Sequence, residues 1–404
     1  MHILMLSDVY FPRINGVSTS IQTFVTSFLA MGHEVTLIAP EYPHETDGDA
    51  WVIRIPSRRL PFDPEDRLMS LRAVKRLLPR LAGCDFDLIH IQTPFVAHYA
   101  GIWLARKLGL KTLTTYHTFF EAYLEQYLPM VPGSWLRGIA RMYSRRQCNE
   151  VDAVVSPSHQ MLERLREYSM TTRAAVIPTG LPAASFADGG SEGFRTAHGI
   201  AEDAILLLYV GRVAFEKNID FLIDMFEHVR NEVPRAMLLI AGEGPALDRL
   251  RNRTNNADAH KRIRFIGYLD RTTELPACYQ ASDLFVFASQ TETQGLVLLE
   301  AMAAGLPVVS LASMGSLDVL RQGDGAVISP PDTRLFADHV VELAQDADRL
   351  GALGTRGRAY AASWSADAKA TEMLAFYDAV LNHRVMEYPD SLPTAGSRLQ
   401  AEED

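Results

Sequence analysis

Cysteine is scarce in this chain, with three among 404 residues, Cys84, Cys148 and Cys278. They are scattered and odd in number, so neither a disulfide framework nor a cysteine metal site is expected, and a reducing, cytoplasmic setting follows. No apolar run reaches the ~18 residues that a membrane span needs. The opening MHILMLSDVYF lacks a basic region and a small-residue cleavage site, so it reads as a first buried strand and not as a leader. Internal repeats are absent. A basic excess is absent too: the net charge is −10, which argues against nucleic acid as a partner. That charge is uneven. The first 184 residues carry 19 Lys and Arg against 17 Asp and Glu, and the remainder 20 against 32, so the first half is the more basic.

What is present is a repeated alternation. Short apolar runs at 2–6, 35–39, 51–55, 88–91, 112–115, 153–156 and 175–177 alternate with helical patterns such as 19–30 and 96–107. This predicts a parallel sheet covered on both faces. The stretch SFADGGSEGF at 185–194 is rich in Gly and Ser and reads as a linker. Beyond it the pattern restarts, with strands expected at 205–210, 236–241, 263–266, 284–287 and 308–311. The simplest account is an α/β chain of two Rossmann-like domains, 1–184 and 195–364. A last helical stretch at 365–381 follows, and the polar residues 386–404 read as a disordered tail.

The most informative stretch is TETQGLVLLEAMAAGLP at 291–307. Two carboxylates, Glu292 and Glu300, stand eight residues apart. Between them lie a polar turn with Gly295 and an apolar run in which Leu296, Leu299, Met302 and Ala303 share a helical face. Gly305 and Pro307 close the helix. The two carboxylates should stand about 7–8 Å apart along the axis. The amides of Thr293, Gln294, Gly295 and Leu296 should face outward between them, and such a helix start attracts phosphate. The layout suits a ligand with hydroxyls at both ends and a diphosphate in the middle. The bland alternative is a solvated helix edge.

GRVAFEKN at 211–218 follows another apolar run. Arg212 and Lys217 are cations at the C-terminal end of an expected parallel strand, where open α/β sheets bind ligands. Both could neutralise a diphosphate, Arg with a bidentate fork, or simply be solvated loop charges. AGEGP at 241–245 and FIGYL at 265–269 follow further strands. Asn15, Gly16 and Val17 follow the first strand; a glycine there lets backbone approach a ligand, and Ser18 or Thr19 is expected to cap the next helix. His117, flanked by Tyr116 and Thr118, ends the strand at 112–115 and should point into the cleft between the domains.

Together these blocks resemble the retaining glycosyltransferases of family 4. The likeness spans about residues 1–380. It implies the GT-B fold: two Rossmann-like domains facing across a cleft, with a C-terminal helix, about 365–385, crossing back to the first domain. It implies that Glu292 holds the donor sugar and Glu300 the ribose. Arg212 and Lys217 would stabilise the departing nucleoside diphosphate. Gly242 would border the nucleotide, the backbone at Tyr268 or Leu269 would contact the base, and the amides at Gly16 would touch the diphosphate. His117 would orient the donor near the C6 hydroxyl. Asn15 stands where many members have glycine. Transfer would be by front-face attack, the leaving phosphate helping to deprotonate the acceptor. No tightly bound cofactor and no divalent metal is implied, since no Asp-x-Asp motif is placed between strands as in the other large glycosyltransferase fold.

If the second half binds donor, the first should choose the acceptor. RLMSLRAVKRLLPRL at 67–81 sets Arg72, Lys75, Arg76 and Arg80 among leucines, and WLRGIARMYSRR at 135–146 adds Arg137, Arg141, Arg145 and Arg146. Basic amphipathic helices lie on anionic membranes, although helices with an apolar face in the core look similar. HTFFEAYLEQYLP at 117–129 is similar to the H-T-x-x-E-x-Y block of the diacylglycerol glucosyltransferases of the family. The expectation is therefore a cytoplasmic enzyme, peripheral on the inner face of the membrane. It would move a hexosyl unit, glucose, from a UDP-sugar to a membrane lipid such as diacylglycerol. Its partners would be the nucleotide sugar, a lipid or glycan acceptor and an anionic membrane surface. GDP-mannose-dependent mannosyltransferases share most of these motifs and remain an alternative. A soluble sucrose- or glycogen-type synthase and an inactive nucleotide-sugar sensor are two more.

Overall fold

A computed structural model describes residues 1–43, 49–59, 67–117, 133–186, 193–255 and 262–383. Thr118, the rest of the 117–129 block, the middle of the 185–194 stretch and the tail at 386–404 lie outside the described residues. The chain divides into two compact units. The first holds Met1–Gly180 and the described residues from Ala366 on; the second holds Leu181–Ser365.

In the first unit, β1 (His2–Leu6) is followed by α1 (Gly16–Ala30), β2 (Glu34–Pro40) and β3 (Val52–Ile55). A short antiparallel pair, β4 (Ser57–Arg59) and β5 (Arg67–Met69), leads to α2 (Leu71–Arg76) and α3 (Leu78–Leu81). Then come β6 (Leu88–Ile91), α4 (Val96–Leu108), β7 (Lys111–Thr115), α5 (Gly133–Glu150), β8 (Ala153–Ser156), α6 (His159–Glu167) and β9 (Ala174–Val176). Seven strands form one parallel sheet in the order β3-β2-β1-β6-β7-β8-β9. Both faces of its central strands are covered; all four residues of β6 and of β8 are buried, the polar His90 and Ser156 included.

Residues 67–81 are not one amphipathic helix. Arg67–Met69 pairs as a strand, Ser70 accepts from the Ala73 amide to cap α2, and Pro79 sits in the first turn of a separate α3. Proline lacks an N–H and its ring clashes with the carbonyl four residues back, so the two helical pieces cannot fuse. The leucine-rich face is also already used, since Val74 and Leu81 are fully buried.

The second unit repeats the plan with α7 (Phe194–Ala197), β10 (Ile205–Val210), α8 (Ile219–Glu232), β11 (Ala236–Ala241), α9 (Leu247–Arg253), β12 (Ile263–Gly267) and α10 (Glu274–Ala281). It continues with β13 (Leu284–Phe287), α11 (Leu296–Ala303), β14 (Val308–Leu311), α12 (Ser316–Val319), β15 (Ala326–Ser329), α13 (Thr333–Gln345) and α14 (Ala347–Ala361). Six parallel strands run in the order β12-β11-β10-β13-β14-β15. The edge strand β15 had no counterpart among the expected strands.

In each sheet the strand order reverses once, between β1 and β6 in the first and between β10 and β13 in the second. Crevices at the carboxyl ends of such strands are where this architecture binds ligands. The last helix, α15 (Ala366–Leu381), belongs to the first unit. It buries Ala370, Met373, Phe376, Tyr377 and Val380 in the core with Phe28 of α1. Tyr377 reaches furthest: its hydroxyl meets His90 Nδ1 at 2.6 Å, and His90 Nε2 meets Thr115 Oγ1 at 2.7 Å. Burial pushes His90 down to about 3, so the ring is neutral and each nitrogen has one partner.

Candidate functional site

In the second unit the loops after β10 and β13 meet at the point of reversal. Asn218 takes a left-handed backbone (φ 55°), which asparagine tolerates, and its side chain donates to Ala288 O at 3.3 Å. Thr291 Oγ1 donates to Glu216 O at 3.3 Å. These ties bring Lys217 Nζ to 2.6 Å from Glu292 Oε2, with both side chains about four-fifths buried (20% and 17% exposed). Arg212 lies on the same loop, its Nη1 3.9 Å from Glu216 Oε1. Arg212 and Lys217 thus each face a carboxylate, Glu216 and Glu292, and the proposed diphosphate cation and sugar carboxylate hold each other.

Gly295 (φ 89°) is the N-cap of α11, and no side chain caps the helix start. The peptide just before it is not open on every side, as the sequence suggested. Gly315 packs against it: a Cβ on Gly315 would stand 2.1 Å from Thr293 O and 2.6 Å from Gln294 N. Gly315 N also donates to Glu292 O at 2.8 Å, and Gln294 is buried. The loop after β14 therefore fixes Glu292 from behind, a role sequence reading missed because a lone glycine among small residues carries no signal.

Glu300, on α11, is buried, and each of its carboxylate oxygens has a partner. Arg271 Nη2 lies 2.6 Å from Oε1, and the Tyr279 hydroxyl donates to Oε2 at 3.1 Å. The carboxylate beside Arg271 raises the guanidinium pKa, and burial, reinforced by Glu300, pushes the Tyr279 phenol well up. Each carboxylate oxygen has two lone pairs, so Glu300 can still accept from ribose hydroxyls. Arg271 and Tyr279 escaped sequence reading, since only the fold brings them to Glu300.

Gly242 has φ 136°, and a Cβ there would stand 2.0 Å from Gly211 O. Its glycine is thus needed for packing the loops after β10 and β11 together, beyond any contact with a nucleotide. Tyr268 is exposed at the surface after β12, whereas Leu269 is buried.

In the first unit, Asn15 and not Ser18 or Thr19 caps α1, its Oδ1 accepting from Ser18 N at 2.8 Å. An asparagine in place of the expected glycine thus satisfies an amide that would otherwise be orphaned. A Cβ on Gly16 would meet nothing within 4 Å, so its backbone opens on free space. Asp8, just past β1, accepts from Thr93 Oγ1 at 2.8 Å and from the Ala97 amide at 3.1 Å. Burial pushes its carboxyl up to about 6. Asp8 so ties the end of β1 to the start of α4. His117, two residues past β7, places Nε2 3.0 Å from Gln92 Oε1, and burial holds its pKa down at about 4. Tyr116 turns away, buried with its hydroxyl 2.7 Å from Ser144 Oγ.

The basic residues Arg72, Lys75, Arg76 and Arg80 are exposed on α2 and α3, and Lys75 lies over the Trp103 ring at 5.2 Å. On α5, Arg137, Arg141, Arg145 and Arg146 are exposed, with Arg141 over the Tyr168 ring at 5.5 Å. The same helix exposes Trp135 (72%), Ile139 (51%) and Met142 (66%). Among the described residues no helix is long and apolar enough to cross a membrane.

Residues 14–184 match the family model for Glycosyltransferase Family 4, and residues 191–360 the model for Glycosyl transferases group 1. Alpha-monoglucosyldiacylglycerol synthase of Streptococcus pneumoniae is 33% identical over 318 residues, 77% of this chain and 71% of that protein. GDP-mannose-dependent alpha-mannosyltransferase of Mycobacterium tuberculosis is 26% identical over 400 residues, 96% of this chain and 99% of that one. In structure, sucrose-phosphate synthase from Thermosynechococcus elongatus superposes with a TM-score of 0.77 at 20% identity, covering 95% and 99% of the two chains, a likeness of fold. The chain belongs to glycosyltransferase family 4 and is a glycosyltransferase of the GT-B fold.

Proposed function

We propose that this enzyme transfers glucose, with retention, from UDP-glucose to a membrane lipid of the diacylglycerol class. The observation that carries the donor half is the convergence of Arg212, Lys217 and Glu292 at the point of reversal of the second sheet, with Glu300 one helix turn and a half further on. Arg212 and Lys217 neutralise the diphosphate as charge builds on the leaving group, together with the amides at the start of α11 and at Gly16. Glu292 grips sugar hydroxyls, Glu300 the ribose, and His117 orients the donor. The base lies at the backbone of Tyr268 and Leu269, beside Gly242. Under this reading no tightly bound cofactor and no divalent metal is required.

The acceptor half rests on the diacylglycerol-type relative and on α5. At 100° per residue, Trp135, Ile139 and Met142 fall within about 60° of arc, while Arg141 and Arg145 lie on the opposite flank of the exposed face. Apolar side chains of this size standing in water, flanked by arginines, suit the interface of an anionic bilayer. The enzyme then works from the cytoplasmic side as a peripheral protein. The cations of α2 and α3, whose apolar face is spent in the core, add electrostatic attraction only. Changing Trp135, Ile139 and Met142 together to serine should lower co-sedimentation with anionic vesicles at least tenfold. Changing Arg72, Lys75 and Arg76 to serine should lower it less and only at low salt. Equal binding by the triple apolar variant and the native chain would remove α5 from the membrane face.

The mannosyltransferase relative supports a second reading, GDP-mannose as donor to a lipid or polysaccharide precursor. The deciding assay offers UDP-glucose, other UDP-sugars and GDP-mannose to the enzyme with diacylglycerol vesicles, a lipid extract or soluble sugars. Products are read by mass spectrometry and their anomeric configuration by NMR. A β-linked product excludes retention; transfer only to soluble sugars excludes the lipid acceptor; tight donor binding without turnover would leave a sensor.

A further inference from the structure

Gln92 belongs to no motif, and the proposed donor chemistry does not use it. It lies just past β6, at the point of reversal of the first sheet, and is almost fully buried (4% exposed). Its amide N–H donates to Leu6 O at 2.8 Å, which fixes the backbone at the carboxyl end of the sheet. Its side chain spans the end of the sheet: Nε2 faces Met5 Sδ at 4.0 Å, and Oε1 lies 3.0 Å from His117 Nε2. A carboxamide oxygen only accepts, so His117 Nε2 must carry the hydrogen. The opposite amide orientation would turn a donor toward His117 and leave the oxygen against a thioether, which has no hydrogen to give. His117 is neutral at physiological pH, because burial holds its pKa near 4. A neutral ring with Nε2–H has a bare Nδ1. His90, the titratable neighbour on β6, is itself neutral and has both nitrogens engaged by Tyr377 and Thr115.

We propose that Gln92 is a positioning residue that locks His117 in the Nε2–H tautomer, so that Nδ1 serves as a fixed acceptor for a substrate hydroxyl. This rests on the reading of His117 as a donor-binding residue. A hydroxyl bound in this way donates to the ring and keeps its own lone pairs for other partners. With the other tautomer, Nδ1 would offer a hydrogen and reverse the contact. A purely structural Gln92 would tie β6 to the end of β7 through the same bond and fix the same tautomer, but its loss would lower stability without slowing transfer.

The test uses the full chain labelled with ¹⁵N-histidine, the His117 signals being identified by their loss in His117→Gln. Two-bond ¹H–¹⁵N spectra at pH 7 should show the Nε2–H pattern for His117 in the native chain. Gln92→Leu should shift the ring toward a mixture of tautomers and lower kcat about tenfold, the effect of one lost hydrogen bond, with the unfolding midpoint checked separately. Gln92→Glu keeps an acceptor in place: it should preserve the Nε2–H pattern and raise the pH at which His117 titrates. A native Nδ1–H pattern, or an unchanged tautomer in Gln92→Leu, overturns the proposal. If Gln92→Leu does not fold, an unmoved titration in Gln92→Glu does the same. If the tautomer responds as expected but His117→Ala transfers sugar at the native rate, the donor-binding reading of His117 fails instead.

Discussion

Glu292→Ala should lower turnover about 10²–10³-fold, the usual cost of removing one preorganised polar contact from a transition state. It should do so without loss of UDP affinity. Lys217 Nζ and Glu292 Oε2 are 2.6 Å apart, so the carboxylate partly neutralises a cation that the diphosphate needs. Removing Glu292 releases Lys217, and UDP should bind equally well or a few-fold tighter. Calorimetry on UDP and initial rates with the productive donor and acceptor read the two effects separately. Native turnover in this variant, or abolished UDP binding, is incompatible with Glu292 as the sugar-gripping residue.

Lys217→Ala should have the opposite signature. UDP affinity should fall tenfold or more and transfer about 10³-fold, because the diphosphate loses a cation and meets Glu292 without its counter-charge. Leaving one member of a close ion pair uncompensated is the costly outcome. The double change Lys217→Ala with Glu292→Ala should therefore recover part of the UDP affinity that Lys217→Ala alone loses, a coupling expected of residues in contact. Arg212→Ala should weaken UDP binding without this recovery, since its carboxylate neighbour is Glu216, 3.9 Å away. Native UDP affinity in both Lys217→Ala and Arg212→Ala would move the diphosphate elsewhere, whatever the fate of turnover.

Much of the fold was legible in the sequence. Strands such as 2–6, 88–91, 153–156, 205–210, 236–241, 284–287 and 308–311 appear where their apolar runs placed them, because strands buried on both faces are mostly apolar. The helix between Gly295 and Gly305 was marked by its spacing and by its stops. Short elements were not legible. β15 and the β4–β5 hairpin depend on pairing partners far along the chain. A periodicity of leucines and arginines at 67–81 looked like one helix until Pro79 and the pairing of Arg67–Met69 divided it.

The sequence by itself determined the two repeated α/β patterns, the loops that carry Arg212 and Lys217, and the two carboxylates Glu292 and Glu300, because these depend on local spacing and on turn chemistry. Tertiary structure alone decided what each of those groups touches. It paired Lys217 with Glu292 across 75 positions of sequence and Arg271 with Glu300 across 29, set Gly315 behind Glu292, and joined Gln92 to His117. It also showed that α5 leaves Trp135, Ile139 and Met142 in water while α2 and α3 have Val74 and Leu81 in the core. The physical reason is the same throughout. Periodicity records which side of an element is apolar, but the partner that covers that side, or the charge that meets a given side chain, is set by sheet order and loop closure, which bring together residues that no local pattern connects.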